Sequence, residues 1–284
     1  MTKKQIKSSI LAKQSNGSIQ LTFPIPFSEI EKIKQEIALK EAPNVTVSGF
    51  RKGKAPISKV REAISEEALG EKALSNILPE KFNKAIKEHN LRPVLFPKFE
   101  LVENKENKPW TVRAITCEAP KITLGDYKKA VKEAIIKGTV KNKKLSKLDK
   151  ENLAVSSLAN SIKFELPEIL VLEEVNARLS TLLDRLEKLG LSLDNYLNSI
   201  NKTPESLREE YKKQSEANIK LDMILTEIAN KEKVSLKKSE VDGMLKISQS
   251  SSTSSEKFPE NEHRSRIVSI LKKRKVLDSL AGAA

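Results

Sequence analysis

The spacing of apolar residues changes midway along this chain of 284 residues, and the change constrains the fold class. In the first half, segments that alternate apolar and polar residues lie between segments with helical spacing. In the second half, apolar residues recur three or four positions apart, which is typical of helices alone. We therefore predict an α+β domain over residues 1–130, a basic linker over 131–152, and an all-α, extended multi-helix domain over 153–284. The protein should be mostly helical overall.

Cap and turn residues divide the first half into elements. Ser28 and Glu31 have the spacing of a capping box, which predicts a helix start at Ser28. Pro79 lies inside the helical pattern of residues 66–89 and should kink or split that helix. The other predicted elements are a strand at 18–24, a helix that Pro56 opens, and a hairpin of strands at 98–102 and 109–117.

Proline, glycine and serine mark the boundaries in the second half. Pro167 is expected at the first position of a helix that Gly190 ends, and Thr203 is expected to cap a helix that Pro204 begins. The serine tract at 250–255 predicts a flexible connection. A last helix should follow from about 259 to 280.

The positive charge is unevenly distributed along the chain. Lys and Arg number 52 and Asp and Glu number 38, which gives a net charge of +14. Residues 1–150 hold 31 basic and 17 acidic residues, whereas the remainder holds 21 of each. All of the excess therefore lies in the first half, which predicts that this half faces a polyanion and that the other half has a different role.

Residues that would support catalytic or metal chemistry are scarce. The single cysteine, Cys117, excludes an internal disulfide and a cysteine-rich zinc site. His89 and His263 lie far apart, with no acidic ligand pattern beside them. There is no run of 18 apolar residues and no secretory signal. We predict a cytoplasmic protein with no catalytic residue, metal, cofactor or membrane partner.

The loop Gly49–Pro56 has the most informative composition. Gly49 and Gly53 permit backbone angles that other residues avoid, and three cations share the loop with one aromatic ring. Such a loop suits a surface of phosphates mixed with protein, although a solvated basic turn with the ring in its own core is the alternative. A nucleotide-binding phosphate loop is excluded because the glycine spacing is one residue short and no Ser or Thr follows Lys54.

Residues 49–56 resemble the signature Gly-Phe-Arg-x-Gly-Lys-x-Pro of bacterial trigger factor, a family of ribosome-associated chaperones. The similarity extends over about residues 15–130 and 150–248. In the second half it is carried by segments 164–168, 202–211 and 228–234.

The resemblance implies a docking site and two kinds of partner. The docking residues would be Gly49, Phe50, Arg51, Lys52, Gly53, Lys54 and Pro56. They would contact the large ribosomal subunit at its exit-site protein and ribosomal RNA, with Phe50 against an apolar patch. The helical half would form a cradle that shields unfolded nascent polypeptides without ATP. Family members also form homodimers away from the ribosome.

One departure from the family concerns its prolyl isomerase domain. Only 25 residues lie between Tyr127 and Leu153, none of them aromatic, whereas a folded domain needs about 50 or more. We therefore predict a short form that is not an enzyme. Two alternatives stay open: a prolyl isomerase with a reduced site, and a generic basic RNA-binding protein. The 4% aromatic content and the lack of an RNA-binding signature count against the second.

Overall fold

The computed structural model describes residues 9–105, 107–141, 145–251 and 260–282. It divides into two compact units, Met1–Ala119 and Pro120–Ala284. The first unit contains both strands and helices, and the second contains helices in its described residues. The predicted α+β and all-α classes are therefore confirmed.

The first unit is built on a four-stranded antiparallel sheet in the order β1-β2-β4-β3. Its strands are β1 (Ile10–Lys13), β2 (Ser18–Ile25), β3 (Lys98–Glu103) and β4 (Trp110–Cys117). The central pair, β2 and β4, places Ser18 opposite Cys117 and Ile25 opposite Trp110. The strand and the hairpin predicted from sequence are confirmed, whereas β1 was not predicted because its four residues show too little alternation.

Over its described residues the first unit also contains three helices: α1 (Phe27–Glu41), α2 (Ile57–Ile64) and α3 (Glu66–His89). Alternate residues of β2 are buried, as expected when one face of a sheet is covered. With residues from α1 and α3 they form one core, whose largest fully buried members from β2 are Ile19, Leu21, Phe23 and Ile25.

Two details of the predicted helices are wrong. The helix α1 begins at Phe27 after Pro26, so Ser28 lies inside its first turn and makes no capping box. Glu31 instead bonds to Arg61 across the unit. The helix α3 is also one continuous element, so Pro79 does not split it; buried side chains both before and after the proline hold both halves in the core.

The second unit consists of seven helices over its described residues. They are α4 (Tyr127–Lys141), α5 (Lys147–Ser161), α6 (Glu168–Lys188), α7 (Leu193–Ser199), α8 (Pro204–Lys231), α9 (Lys238–Ser251) and α10 (Glu260–Gly282). A core joins α4, α5, α8 and α10. Its fully buried members include Val131, Ile135, Leu158, Ile224 and Ile228.

The structure differs from the predicted linker over 131–152. Residues 131–141 belong to α4 and residues 147–152 belong to α5. Val131 and Ile135 are only 1% exposed, because they pack in the core of the second unit. The unit boundary accordingly lies between Ala119 and Pro120 rather than near residue 130. In the sequence, the many lysines on the exposed face of α4 made this segment resemble a solvated linker, so the buried positions Val131 and Ile135 were not predicted.

The predicted helix boundaries of the second unit are largely confirmed. Thr203 and Ser206 form a capping box, and Pro204 occupies the first helical position. Pro167 is the residue before the helix rather than its first residue, and Gly190, at φ +67°, follows the end of α6. The predicted last helix corresponds to α10. Most of the predicted flexible serine connection, 252–255, lies outside the described residues.

Candidate functional site

The loop between α1 and α2 consists of two successive tight turns. The amide of Phe50 donates to the carbonyl of Val47 at 3.1 Å, and the amide of Lys54 donates to the carbonyl of Arg51 at 2.9 Å. Gly49 (φ +80°) and Gly53 (φ +77°) occupy the third position of each turn. A positive φ at that position defines a type II turn, which glycine adopts without strain. The four-residue spacing of the glycines thus has a direct structural cause.

The two turns present an aromatic ring and three cations to solvent. Phe50 is 43% exposed, and Arg51, Lys52 and Lys54 are exposed. Within the part of the chain that the structure describes, none of these three cations forms an ion pair. The alternative in which Phe50 folds into the core of its own domain is therefore not observed. The arrangement can bind a surface that offers both negative charge and an apolar patch.

The ends of the loop are held by the domain. A Cβ atom at Gly53 would lie 3.6 Å from the Cα atom of Pro43, so the second turn rests against the residues that follow α1. Pro56, at φ −57°, precedes α2, and Val60 on that helix is buried. All seven residues predicted for the site, Gly49 to Lys54 and Pro56, thus lie in one anchored loop.

A cluster of ion pairs that sequence analysis did not find fixes α2 beside α1 and α3. Arg61 on α2 bonds to Glu31 at 3.0 Å and to Glu66 at 2.8 Å. Glu66 also accepts from Lys34 at 2.9 Å, and the buried Lys34 ammonium lies 5.2 Å from the centre of the Trp110 ring. Because Lys34 donates to it, the pKa of Glu66 is lowered. Within α1, Lys34 also lies 3.5 Å from Glu31 at the i, i+3 spacing of a helix. The contacts that join the helices, Lys34 to Glu66 and Arg61 to Glu31, link residues 32 and 30 positions apart, so local spacing does not indicate them.

Replacement of either loop glycine should open its turn. An L side chain at these φ values costs about 1–2 kcal/mol. For Gly49→Ala we expect the Phe50 amide to exchange its hydrogen about 5–30-fold faster, and for Gly53→Ala the Lys54 amide. Asparagine should have a smaller effect because it tolerates positive φ better. Hydrogen exchange followed by NMR would measure this, with the exposed Ser48→Ala as control; unchanged exchange in both alanine variants would contradict the turn assignment.

The remaining candidate metal-binding and nucleophilic groups lie outside the loop. Among them, no group of three or more His, Cys, Asp and Glu side chains could hold a metal ion. Burial raises the pKa of Cys117 to about 11, so its thiol stays protonated near neutral pH. The Nε2 atom of His89 lies 3.1 Å from the Ser9 hydroxyl. No described helix is long and apolar enough to cross a membrane.

Comparison with known families decides the assignment. The family model of the bacterial trigger factor protein matches residues 7–151, and the family model of the trigger factor C-terminus matches residues 123–282. Each match covers more than half of the chain. The chain belongs to the trigger factor family.

Similar trigger factors occur in lactic acid bacteria. The chain is 36% identical over 108 residues to trigger factor of Limosilactobacillus reuteri strain DSM 20016, which is 38% of this chain and 25% of that protein. It is 37% identical over 116 residues to trigger factor of Lactobacillus gasseri, which is 41% of this chain and 26% of that protein. The chain thus spans about a quarter of the length of these relatives.

A solved structure of the trigger factor chaperone shares the fold. That structure is described as showing promiscuous substrate recognition in folding and assembly activities. It superposes with a TM-score of 0.65 at 13% sequence identity, covering 96% of this chain and 99% of the solved chain. At this identity the similarity concerns the fold, and it includes both the α+β part and the helical part.

Proposed function

We propose that this member of the chaperone family docks on the large ribosomal subunit through the loop 49–56 and holds newly made polypeptides without ATP. The observation that carries the proposal is the pair of turns that presents Phe50, Arg51 and Lys52 to solvent. Family membership supports the chaperone role.

Docking would use two kinds of interaction from one loop. Arg51 and Lys52 would pair with RNA phosphates or with acidic side chains of the exit-site protein. Burial of the Phe50 ring against an apolar patch would contribute about 1.5–3 kcal/mol. Because phosphate contacts release counterions, the affinity should fall as salt is raised.

The helical unit offers the surface expected of a holder of unfolded chains. Several of its helices, and the turn after α6, carry exposed apolar side chains among charged ones. Examples are Leu183, Met244, Ile247 and Ile270 on helices, and Leu189 and Leu191 in the turn. Leu, Ile and Met side chains adapt to partners of many shapes, which suits a client without fixed structure. Binding of the unfolded chain delays its aggregation by mass action, with no need for nucleotide.

We propose that the chain has no prolyl isomerase activity. The helix α4 ends at Lys141 and α5 begins at Lys147, so residues 142–146 are too few for a domain there. The two helices also pack closely, since a Cβ atom at Gly138 would lie 2.5 Å from Leu153 Cδ1. The proposal includes a cytoplasmic setting and homodimers away from the ribosome, as the family resemblance implies.

The holding function and the lack of isomerase activity can be tested together. In a nucleotide-free buffer, near-stoichiometric protein should suppress light scattering from a chemically denatured client by more than half, because exposed aliphatic side chains bind its unfolded segments. The same preparation should leave the rate of a proline-limited refolding reaction at its uncatalysed value. Clear acceleration of refolding would restore the isomerase alternative. Tight binding to free RNA with no suppression of scattering would favour the RNA-binding alternative.

A further inference from the structure

The excess positive charge of the protein is divided between its two structural units. Residues 1–119, the unit that carries the loop, hold 21 basic and 14 acidic residues, a net charge of +7. Residues 120–150, at the start of the helical unit, hold ten lysines and three acidic residues, also +7. Half of the excess charge therefore lies outside the unit that carries the docking loop. Ribosome docking by that loop leaves this charge unexplained.

Three of these ten lysines lie on the exposed face of α4. The opposite face is buried at Tyr127, Val131 and Ile135, which are spaced at i, i+4 and i+8. The exposed face carries Lys129, Lys132, Ile136 and Val140, spaced at i, i+3, i+7 and i+11, with Lys137 beside them. We call these five residues the outer face of α4. One exposed carboxylate, Glu133, lies between Lys129 and Lys137, so the charged groups of this face sum to +2.

Aliphatic side chains lie in the middle of the outer face. Ile136 is 50% exposed and Val140 is 82% exposed, although isoleucine and valine are among the residues most often buried. Leu148, near the start of α5 and thus at the same end of the α4–α5 pair, is 65% exposed. Exposed apolar residues grouped in this way indicate a binding surface more strongly than single ones do.

Among the described residues, the lysines of the outer face form no ion pairs, whereas the nearby Lys128 and Lys147 do. Lys128 pairs with Glu232 at 2.9 Å, and Lys147 pairs with Asp278 at 2.7 Å, both within the helical unit. Lys129, Lys132 and Lys137 are exposed and form no ion pair with any residue that the structure describes. Their charge is therefore available to a partner that carries negative charge.

We propose that the outer face of α4 binds unfolded polypeptide segments that combine aliphatic and acidic residues. The inference rests on the proposed holding function and adds a preferred class of client. Aliphatic side chains of the client would cover Ile136 and Val140, and its carboxylates would pair with the flanking lysines. The lysine stems would add apolar contact area beneath their charged ends.

An RNA partner suits this face less well. Residues 128–150 contain no aromatic side chain on which a base could stack, and no arginine for bidentate phosphate contacts. Phosphate backbone contacts would also leave the aliphatic centre of the face in water. A polypeptide that carries both carboxylates and aliphatic groups satisfies both parts of the surface.

The test compares peptides that differ in their charged residues alone. Two fluorescent 16-residue peptides share one aliphatic centre, flanked by Glu in one and by Lys in the other. The full chain should bind the Glu peptide at least tenfold more tightly at low salt, as measured by fluorescence anisotropy, and the difference should shrink as salt is raised. A fluorescent single-stranded RNA is titrated under the same conditions.

Three variants connect this preference to the outer face. Lys129→Glu, Lys132→Glu and Lys137→Glu together should remove the preference, and Ile136→Ser with Val140→Ser should weaken binding of the Glu peptide severalfold. The control carries Lys163→Glu, Lys213→Glu and Lys238→Glu, the same change of net charge at exposed sites elsewhere in the helical unit, and should keep the preference. Circular dichroism should show that all variants remain folded.

The outcomes separate this inference from the proposed function. Equal affinity for both peptides, binding of neither, or equal loss in the control and outer-face variants would overturn the client preference. RNA binding that is tighter than peptide binding and is lost in the Lys129, Lys132 and Lys137 variant would assign the face to RNA instead. If the chain suppresses client aggregation but shows no preference, the holding function stands alone. If it suppresses no aggregation at all, the proposed function itself fails.

Discussion

The affinity of the protein for ribosomes, measured by co-sedimentation, should fall at least 100-fold when Phe50→Ala, Arg51→Ala and Lys52→Ala are combined. Loss of the Phe50 contact removes about 1.5–3 kcal/mol, and loss of two charge-assisted contacts removes a similar amount. Since about 1.4 kcal/mol corresponds to tenfold in affinity, these losses together exceed 100-fold. The three side chains are exposed and form no described ion pair, so the fold should be unaffected.

The same unit offers a matched control for this variant. Arg92, Phe96 and Lys98 are exposed residues of the same three types, in and beside the segment between α3 and β3. Their combined replacement by alanine should leave co-sedimentation unchanged. If both triple variants lose binding equally, docking depends on general charge and exposed aromatic surface rather than on the loop. If the loop variant binds like the wild type, the proposed docking site is wrong.

The neighbouring residues Ile135 and Ile136 should differ sharply in their contribution to stability. Ile135 is 1% exposed in the core of the helical unit, so Ile135→Ala should lower the free energy of unfolding by about 2–5 kcal/mol. Ile136 is 50% exposed, so Ile136→Ala should change it by about 0.5 kcal/mol or less. Urea denaturation followed by circular dichroism would measure both values.

Hydrogen exchange would assign the effect of Ile135→Ala to its unit. Amides of α4 and α5 should lose protection together with those of α8 and α10, because the four helices share one core. Amides of the sheet in residues 9–119 should keep their protection, since that sheet has a separate core. If both isoleucine variants were equally harmless, residues 131–141 would behave as the exposed linker predicted from sequence.

Local sequence patterns predicted several elements because the physical cause of each lies within a few residues. Alternation over residues 18–24 identified β2, since one face of that strand is buried and the other is not. Thr203 and Pro204 identified the start of α8, since capping involves only the first turn of a helix. The loop glycines were equally readable, because a type II turn needs a positive φ at one position.

Other features could not be predicted because their causes lie in distant residues. The cap of α1 is Pro26, two residues before the expected Ser28, and α3 continued as one helix through Pro79 where packing on both sides outweighed one missing hydrogen bond. The strand β1 exists through its pairing with β2. The cluster of Glu31, Lys34, Arg61 and Glu66 joins three helices, and apart from the i, i+3 spacing of Glu31 and Lys34 its contacts link residues from different helices.

The sequence by itself determined the fold classes, the composition of the loop 49–56 and its resemblance to the trigger factor signature, because these depend on residue type and short-range spacing. Only the tertiary structure showed that the excess positive charge is shared equally between the unit that carries the loop and the helical unit. It also decided that α4 is part of a core and which of its residues remain exposed. Lysine-rich helices look like solvated connections until the helices packed against them are known, because burial is a property of the neighbours rather than of the segment.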